Sequence, residues 1–150
     1  MQVQRVIASD LDDLIPLVRA YCQFNGVQRS DETLLAISRA LIADPDREGV
    51  QVLCRDAEGE AIAFATVGWT WATWAGGRVG IMGDLFVAAS ARRVGYGRAL
   101  VEACRGECRR VGALGLMWTT AKDNTAARSL YESLGASSRE WIDYWLSVRP

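Results

Sequence analysis

The sequence predicts an α/β fold in one domain, a mixed sheet with helices packed on both faces. Three observations carry this expectation. The chain has 150 residues, enough for one ordinary core. Hydrophobic residues make up 50% and charged residues 23%, the usual globular mix. Strand-like and helix-like apolar patterns follow one another in the order β-α-α-β-β-β-α-β-α-β, which suits a sheet covered on two sides.

Val3 to Ala8 is the expected first strand. Asp10 and Asp13 open a helix in which Leu14, Leu17, Val18 and Tyr21 recur at helical spacing. Pro16 lies inside it and is expected to bend the first turn, because proline has no N–H to donate. Ser30 and Asp31 start a second helix with Leu34, Ile37 and Leu41 on one face, ended by Asp44-Pro45. Val50 to Arg55 and Ala61 to Trp71 form a hairpin around Asp56-Ala57-Glu58-Gly59. Gly76-Gly77 turns the chain into a strand from Val79 to Val87. A glycine-containing loop, Ala88 to Gly97, leads to a helix from Arg98 to Val111, then a strand from Leu114 to Thr120. Ala127, Leu130, Tyr131 and Leu134 mark one face of a helix from Asp123 to Leu134, and Gly135 stops it. Trp141 to Val148 is expected to close the sheet as a last strand. No repeat or low-complexity linker interrupts the chain, so a single domain spans residues 1–150.

Composition excludes several classes of function. Seventeen basic and 18 acidic residues leave a net charge of -1, which does not suit a nucleic-acid binder. Arg105, Arg109 and Arg110 alternate with Glu102 and Glu107 and read as a solvated helix face. No apolar run reaches the roughly 18 residues of a membrane span, and Met1 to Asp10 lacks a signal-peptide design, so a cytoplasmic protein is expected. Histidine is absent, which removes Ser–His–Asp and Cys–His catalysis and all histidine metal sites. The four cysteines, Cys22, Cys54, Cys104 and Cys108, contain no C-x-x-C pair, so no metal is expected and buried, reduced thiols are.

The chemistry concentrates in the segment from Asp84 to Leu100. It is a strand, a turn holding Gly95 and Gly97, and a helix start. Such a turn aims several backbone N–H groups at one point, and the helix dipole adds partial positive charge there. That is a phosphate pocket. An NTP-binding loop would need Lys and Ser or Thr after Gly97, where Arg98 and Ala99 stand. The dinucleotide fingerprint would need Gly or Ala where Leu100 stands.

Arg92-x-x-Gly95-x-Gly97, followed some thirty residues later by Asn124-x-x-Ala127-x-x-Leu130-Tyr131-x-x-Leu134-Gly135-Ala136, resembles the GNAT family of N-acetyltransferases. The resemblance implies a mostly antiparallel central sheet with helices on both faces and strands splayed at an acetyl-CoA site. It implies that backbone groups of Arg93, Val94, Gly95, Tyr96, Gly97 and Arg98 hold the pyrophosphate of acetyl-CoA, the co-substrate. Leu85, Phe86 and Val87 would then lie along the pantetheine arm, with the Val87 N–H donating to the thioester carbonyl. Asn124 would contact the cofactor, and Tyr131 would be the general acid.

Direct attack by an amine creates an oxyanion and expels a thiolate, which a backbone N–H and a phenol respectively stabilise and protonate. A lysine-like amine is neutral to about one part in a thousand at pH 7, a cost of about 4–5 kcal/mol, so the site must also remove a proton. Small-amine and polyamine relatives, which Asp84-Leu85-Phe86-Val87 resembles, commonly carry an acidic residue just before this aspartate; here that residue is Gly83. Asp84 remains the acidic candidate on the strand, as proton acceptor through water or as partner for a cationic substrate, with Glu32 and Glu140 behind it. Trp69, Trp71 and Trp74 are candidate walls of an acceptor pocket, as are Trp141 and Trp145, with Tyr21 and Phe24 closing its other side. The expected function is acetyl transfer to a primary amine of a small molecule. The alternatives are a protein N-terminal or lysine acceptor and, in another class, a non-catalytic acyl-CoA sensor. A homodimer through edge strands is a further expectation.

Overall fold

The computed structural model describes residues 1–148. Contacts group the chain into two compact units, Met1–Thr119 and a second beginning at Thr120. The first holds a sheet in the order β1-β2-β3-β4-β5. Its strands are β1 (Gln2–Arg5), β2 (Gly49–Arg55), β3 (Ala61–Ala72), β4 (Gly77–Val87) and β5 (Leu116–Met117). The first three pairings are antiparallel, and β5 alone runs parallel to its neighbour β4. The expected mixed, mostly antiparallel sheet is therefore present.

Helices cover both faces. On one side lie α1 (Leu11–Phe24) and α2 (Asp31–Ala43), whose Leu14, Ile15, Leu17, Val18 and Leu34 pack on Leu53 and Phe64. Ser30 caps α2, its Oγ accepting from the Thr33 N–H at 3.2 Å. Pro16 does not interrupt α1, which runs unbroken across it. On the other side α3 (Tyr96–Arg110) buries Leu100, Val101, Cys104 and Cys108. Gly80 lets this helix sit close: a Cβ there would stand 2.5 Å from the Cys108 Sγ and 3.1 Å from Val67 Cγ2. The thiols are free, with Cys54, Cys104 and Cys108 buried and Cys22 partly so.

The chain departs from the sequence expectation in three places. The first strand ends at Arg5, because Ala8–Asp10 turn into a short 3-10 segment that leads straight into α1. The strand expected from Leu114 to Thr120 pairs only at Leu116 and Met117. In the second unit, α4 (Thr125–Ser133) forms as expected, but Trp141 to Val148 is neither helix nor strand. Its alternating pattern is strand-like, yet a strand exists only where a neighbour completes its hydrogen bonds, and no ladder among the described residues includes it.

Candidate active site

The site is built where β4 ends and α3 begins. At its start β4 pairs with β5, the Gly80 N–H donating to the Gly115 carbonyl at 2.9 Å. The ladder stops at Ile81 opposite Met117, while β4 runs on to Val87. Beyond that point no strand among the described residues pairs with β4 on its β5 side, as the splayed strands of the sequence reading require.

A bulge decides which groups face the opening. Thr66 of β3 pairs with Asp84 but the next residue, Val67, pairs with Met82, so Gly83 is an extra residue in β4. In a regular strand N–H directions alternate, and Gly80 pointing to β5 would put every even-numbered residue on that side. After the bulge the parity is reversed: the Ala88 N–H donates to the Ile62 carbonyl of β3 at 2.9 Å. The Val87 N–H therefore points to the open side. Without Gly83 it would be spent inside the sheet. The Val87 carbonyl faces the same way and accepts from Arg92 Nε at 3.1 Å.

The same shift sends Asp84 and Phe86 to the α1 face. Phe86 packs on the α1 core, and Tyr21 of α1 touches it edge-on with ring centres 6.3 Å apart. The Tyr21 hydroxyl reaches the bulge, 3.4 Å from the Gly83 carbonyl. Burial, with the neighbouring Asp84 carboxylate second, pushes its phenol up to about 12. Phe24, near the end of α1, lies under the Arg92 guanidinium at 5.7 Å. Tyr21 and Phe24 thus flank the end of β4.

The loop that follows is shaped by two left-handed residues, Arg93 at φ 70° and Gly95 at φ 97°. Changes of backbone handedness over successive residues turn their N–H groups towards one concave point. A Cβ on Gly95 would meet no heavy atom within 4 Å, so the space over the loop is clear, and the first turn of α3 opens at Tyr96. The first-turn N–H groups of a helix have no carbonyl partner within the helix itself, and beside an open strand edge that geometry fits a long ligand with a phosphate at one end and amides along its arm. Arg93 and Val94 are exposed and Tyr96 and Gly97 partly buried, so the loop is accessible.

Asn124 and Tyr131 belong to the second unit. The Asn124 side-chain oxygen caps α4 by accepting from the Ala127 N–H at 3.2 Å, which commits that oxygen to the helix. Tyr131 is partly buried on α4, and burial raises its phenol above the ordinary value near 10. It is a neutral proton donor at physiological pH.

The hairpin tryptophans lie apart from this site. Trp71 pairs with Arg78, whereas Val87 pairs with Ala63, so the hairpin tryptophans lie at the far end of β3, roughly 25 Å away along the strand. Trp69 is held there by its indole N–H on the Pro45 carbonyl at 2.8 Å, with Arg78 stacked on its ring. They are not walls of a pocket at Val87. Glu140 pairs with Lys122 at 2.9 Å, and Glu32 is an exposed residue of the first turn of α2. Arg105 pairs with Glu102 on the helix surface. Glu107, which pairs with Arg110, also pairs with Arg5 of β1 at 2.7 Å, and Arg110 with Asp46 at 2.6 Å, so this end of the face is tied to the rest of the unit and not simply solvated. Among the described residues there is no cluster of metal ligands, and no helix is long and apolar enough to cross a membrane.

Residues 14–136 match the model of the Acetyltransferase (GNAT) family. The chain is 30% identical over 149 residues to the uncharacterised N-acetyltransferase YhfO of Bacillus subtilis (strain 168), covering 99% of this chain and 98% of that protein. Among solved structures, one described as a probable acetyltransferase superposes with a TM-score of 0.85 at 24% identity, over 100% of this chain and 99% of that one. The aminoglycoside acetyltransferase AAC(6')-Iy, solved with the bisubstrate analogue CoA-S-monomethyl-acetylneamine, superposes with a TM-score of 0.82 at 17% identity, over 97% of both chains.

Proposed function

The chain belongs to the acetyltransferase (GNAT) family, and from that premise we propose that it moves the acetyl group of acetyl-CoA onto a primary amine of a small molecule by direct attack. The observation that carries this reading is the pairing of an open β4 edge with the left-handed loop at Arg93 and Gly95.

Acetyl-CoA supplies the acetyl group as an activated thioester. Backbone N–H groups from Arg93 to Arg98 hold its pyrophosphate, and Asn124 contacts it. Leu85, Phe86 and Val87 lie along its arm. The Val87 N–H, freed by the bulge at Gly83, donates to the thioester carbonyl and stabilises the charge that develops on its oxygen. Tyr131 gives its proton to the departing thiolate, a role that needs the neutral phenol its raised pKa preserves. Asp84, on the α1 face of β4, takes through water the proton that the attacking amine loses, or meets the positive charge of the acceptor. The aminoglycoside enzyme among the structural neighbours supports a small cationic amine as the acceptor class.

The test is mass spectrometry of the purified protein with acetyl-CoA and a pooled panel of polyamines, amino acids, aminoglycosides and short peptides. One acetylated small amine is the expected product. Acetylated peptides alone would replace the small-molecule acceptor with a protein one, and tight acetyl-CoA binding with no product from any pool would point to a sensor.

A further inference from the structure

The hairpin of β3 and β4 runs past both of its neighbours. On one side β2 pairs with β3 no further than Gly49 opposite Gly68, and on the other the β5 ladder starts at Gly80. Residues 69–79 extend beyond both ladders as a two-stranded ribbon. Hydrogen-bond parity defines its free edge. The Gly80 N–H donates to the Gly115 carbonyl, so Val79 points to β3 and its partner Thr70 points back at it. Trp71, the next residue, turns its N–H and carbonyl the other way, where no strand among the described residues pairs with it.

Edges of this kind are usually blunted by charge, proline or a bulge. This one is not. Residues 61–77 contain no charged residue and no proline, and the bulge lies further back, at Gly83. Trp71 and Trp74 are 80% and 74% exposed on the ribbon. Neither serves the acetyl-transfer site, which lies at the other end of β3.

We propose that the Trp71 edge of β3 pairs with the same edge of a second copy of this chain, giving a two-fold dimer. Of the edges open to the expected homodimer, the proposal names β3 beyond Gly68. A strand laid antiparallel against itself is two-fold by construction: Trp71 faces its own counterpart, the two exchange both hydrogen bonds, and their side chains meet on one face. Charge favours the copy as partner. A chain of net charge -1 repels its copy little, and the uncharged ribbon has nothing with which to select an acidic or basic protein. Area sets the strength. At about 250 Å² for a whole tryptophan, the two exposed rings offer about 400 Å² per copy and about 800 Å² for the pair, short of the roughly 1,200 Å² of a stable interface. The paired edges add the rest, so the dimer is a weak, micromolar one.

Sedimentation velocity of the full chain between about 5 and about 200 µM tests it. The parent should pass from monomer to dimer over that range. Trp71→Lys sets like charges opposite each other at the axis and should weaken the dimer by about tenfold or more, as should Trp71→Glu. An equimolar mixture of those two variants should dimerise again, which also shows both to be folded. Trp71→Thr, uncharged and suited to a strand, should weaken the dimer as well. Trp141→Ser, which alters an equally exposed tryptophan outside the hairpin, should leave it unchanged. A parent that stays monomeric at the highest concentration would overturn the proposal and leave the ribbon to a partner of another kind. Parent-like dimers of Trp71→Lys and Trp71→Thr, a mixture that stays monomeric, or a Trp141→Ser protein weakened as far as Trp71→Lys would overturn it equally.

Discussion

Tyr131 and Val87 divide the proposed chemistry between a side chain and a backbone group, and mutation reaches only the first cleanly. Tyr131→Phe should keep acetyl-CoA affinity and lower turnover by about 10²-fold, the scale of positioned acid catalysis. Its pH profile carries the sharper test. The acceptor amine must lose its proton, so kcat/KM should rise with pH between 7 and 9 in parent and variant alike. Burial raises the Tyr131 phenol, so the acid form persists through that range and is lost only above pH 10. The falling limb there should be present in the parent and missing in Tyr131→Phe. A parent profile that falls already at pH 8, or a variant that keeps the limb, would take the acid role from Tyr131.

The elements explain why some of the site was legible in the sequence and some was not. The glycine loop and the α4 pattern are local: Gly95 stands where the turn takes left-handed geometry, and Asn124 stands where a helix needs a cap. Spacing along the chain is enough to find them. The bulge is a relation between two strands, seen only when Asp84 is set against Thr66 and Met82 against Val67. A lone Gly83 in an apolar strand was its only trace. Register likewise separates the hairpin tryptophans from Val87 and limits β5 to Leu116–Met117, which no propensity reveals. The placement of Tyr21 was half visible, since helical spacing predicts that it faces the sheet but not that its hydroxyl reaches Gly83. At this scale the loop is the element to test. Gly95 has φ 97°, which a β-branched residue adopts only under strain, and its missing Cβ leaves the concave face clear. Gly95→Val should abolish acetyl-CoA binding in calorimetry while the far-ultraviolet circular dichroism stays that of the parent. Unchanged affinity would move the phosphate site away from the loop.

Across the molecule, one packing choice recurs: Cys54, Cys104 and Cys108 are buried, and Tyr21 is partly so. Burial raises Cys54, Cys104 and Cys108, takes Cys104 to about 12, and takes Tyr21 to about 12 with help from Asp84. All these groups are neutral when protonated, so the sign is common. In the unfolded chain a thiol of ordinary pKa about 9 loses its proton above that pH, while the folded state keeps it. The unfolded state then binds fewer protons, and stability falls as pH rises. For Cys104 the stabilisation is fully present below pH 9 and is lost progressively towards pH 12, amounting to about 2 kcal/mol by pH 10.5. Urea unfolding at pH 8 and pH 10.5 measures it. The parent should lose at least that much over the interval, and Cys104→Ala should start less stable at pH 8, for lost packing on the sheet, yet show a smaller drop by about 2 kcal/mol. Equal drops in both proteins would mean that Cys104 titrates alike folded and unfolded, and that the contact of α3 with the sheet admits water where the structure shows none of that thiol exposed.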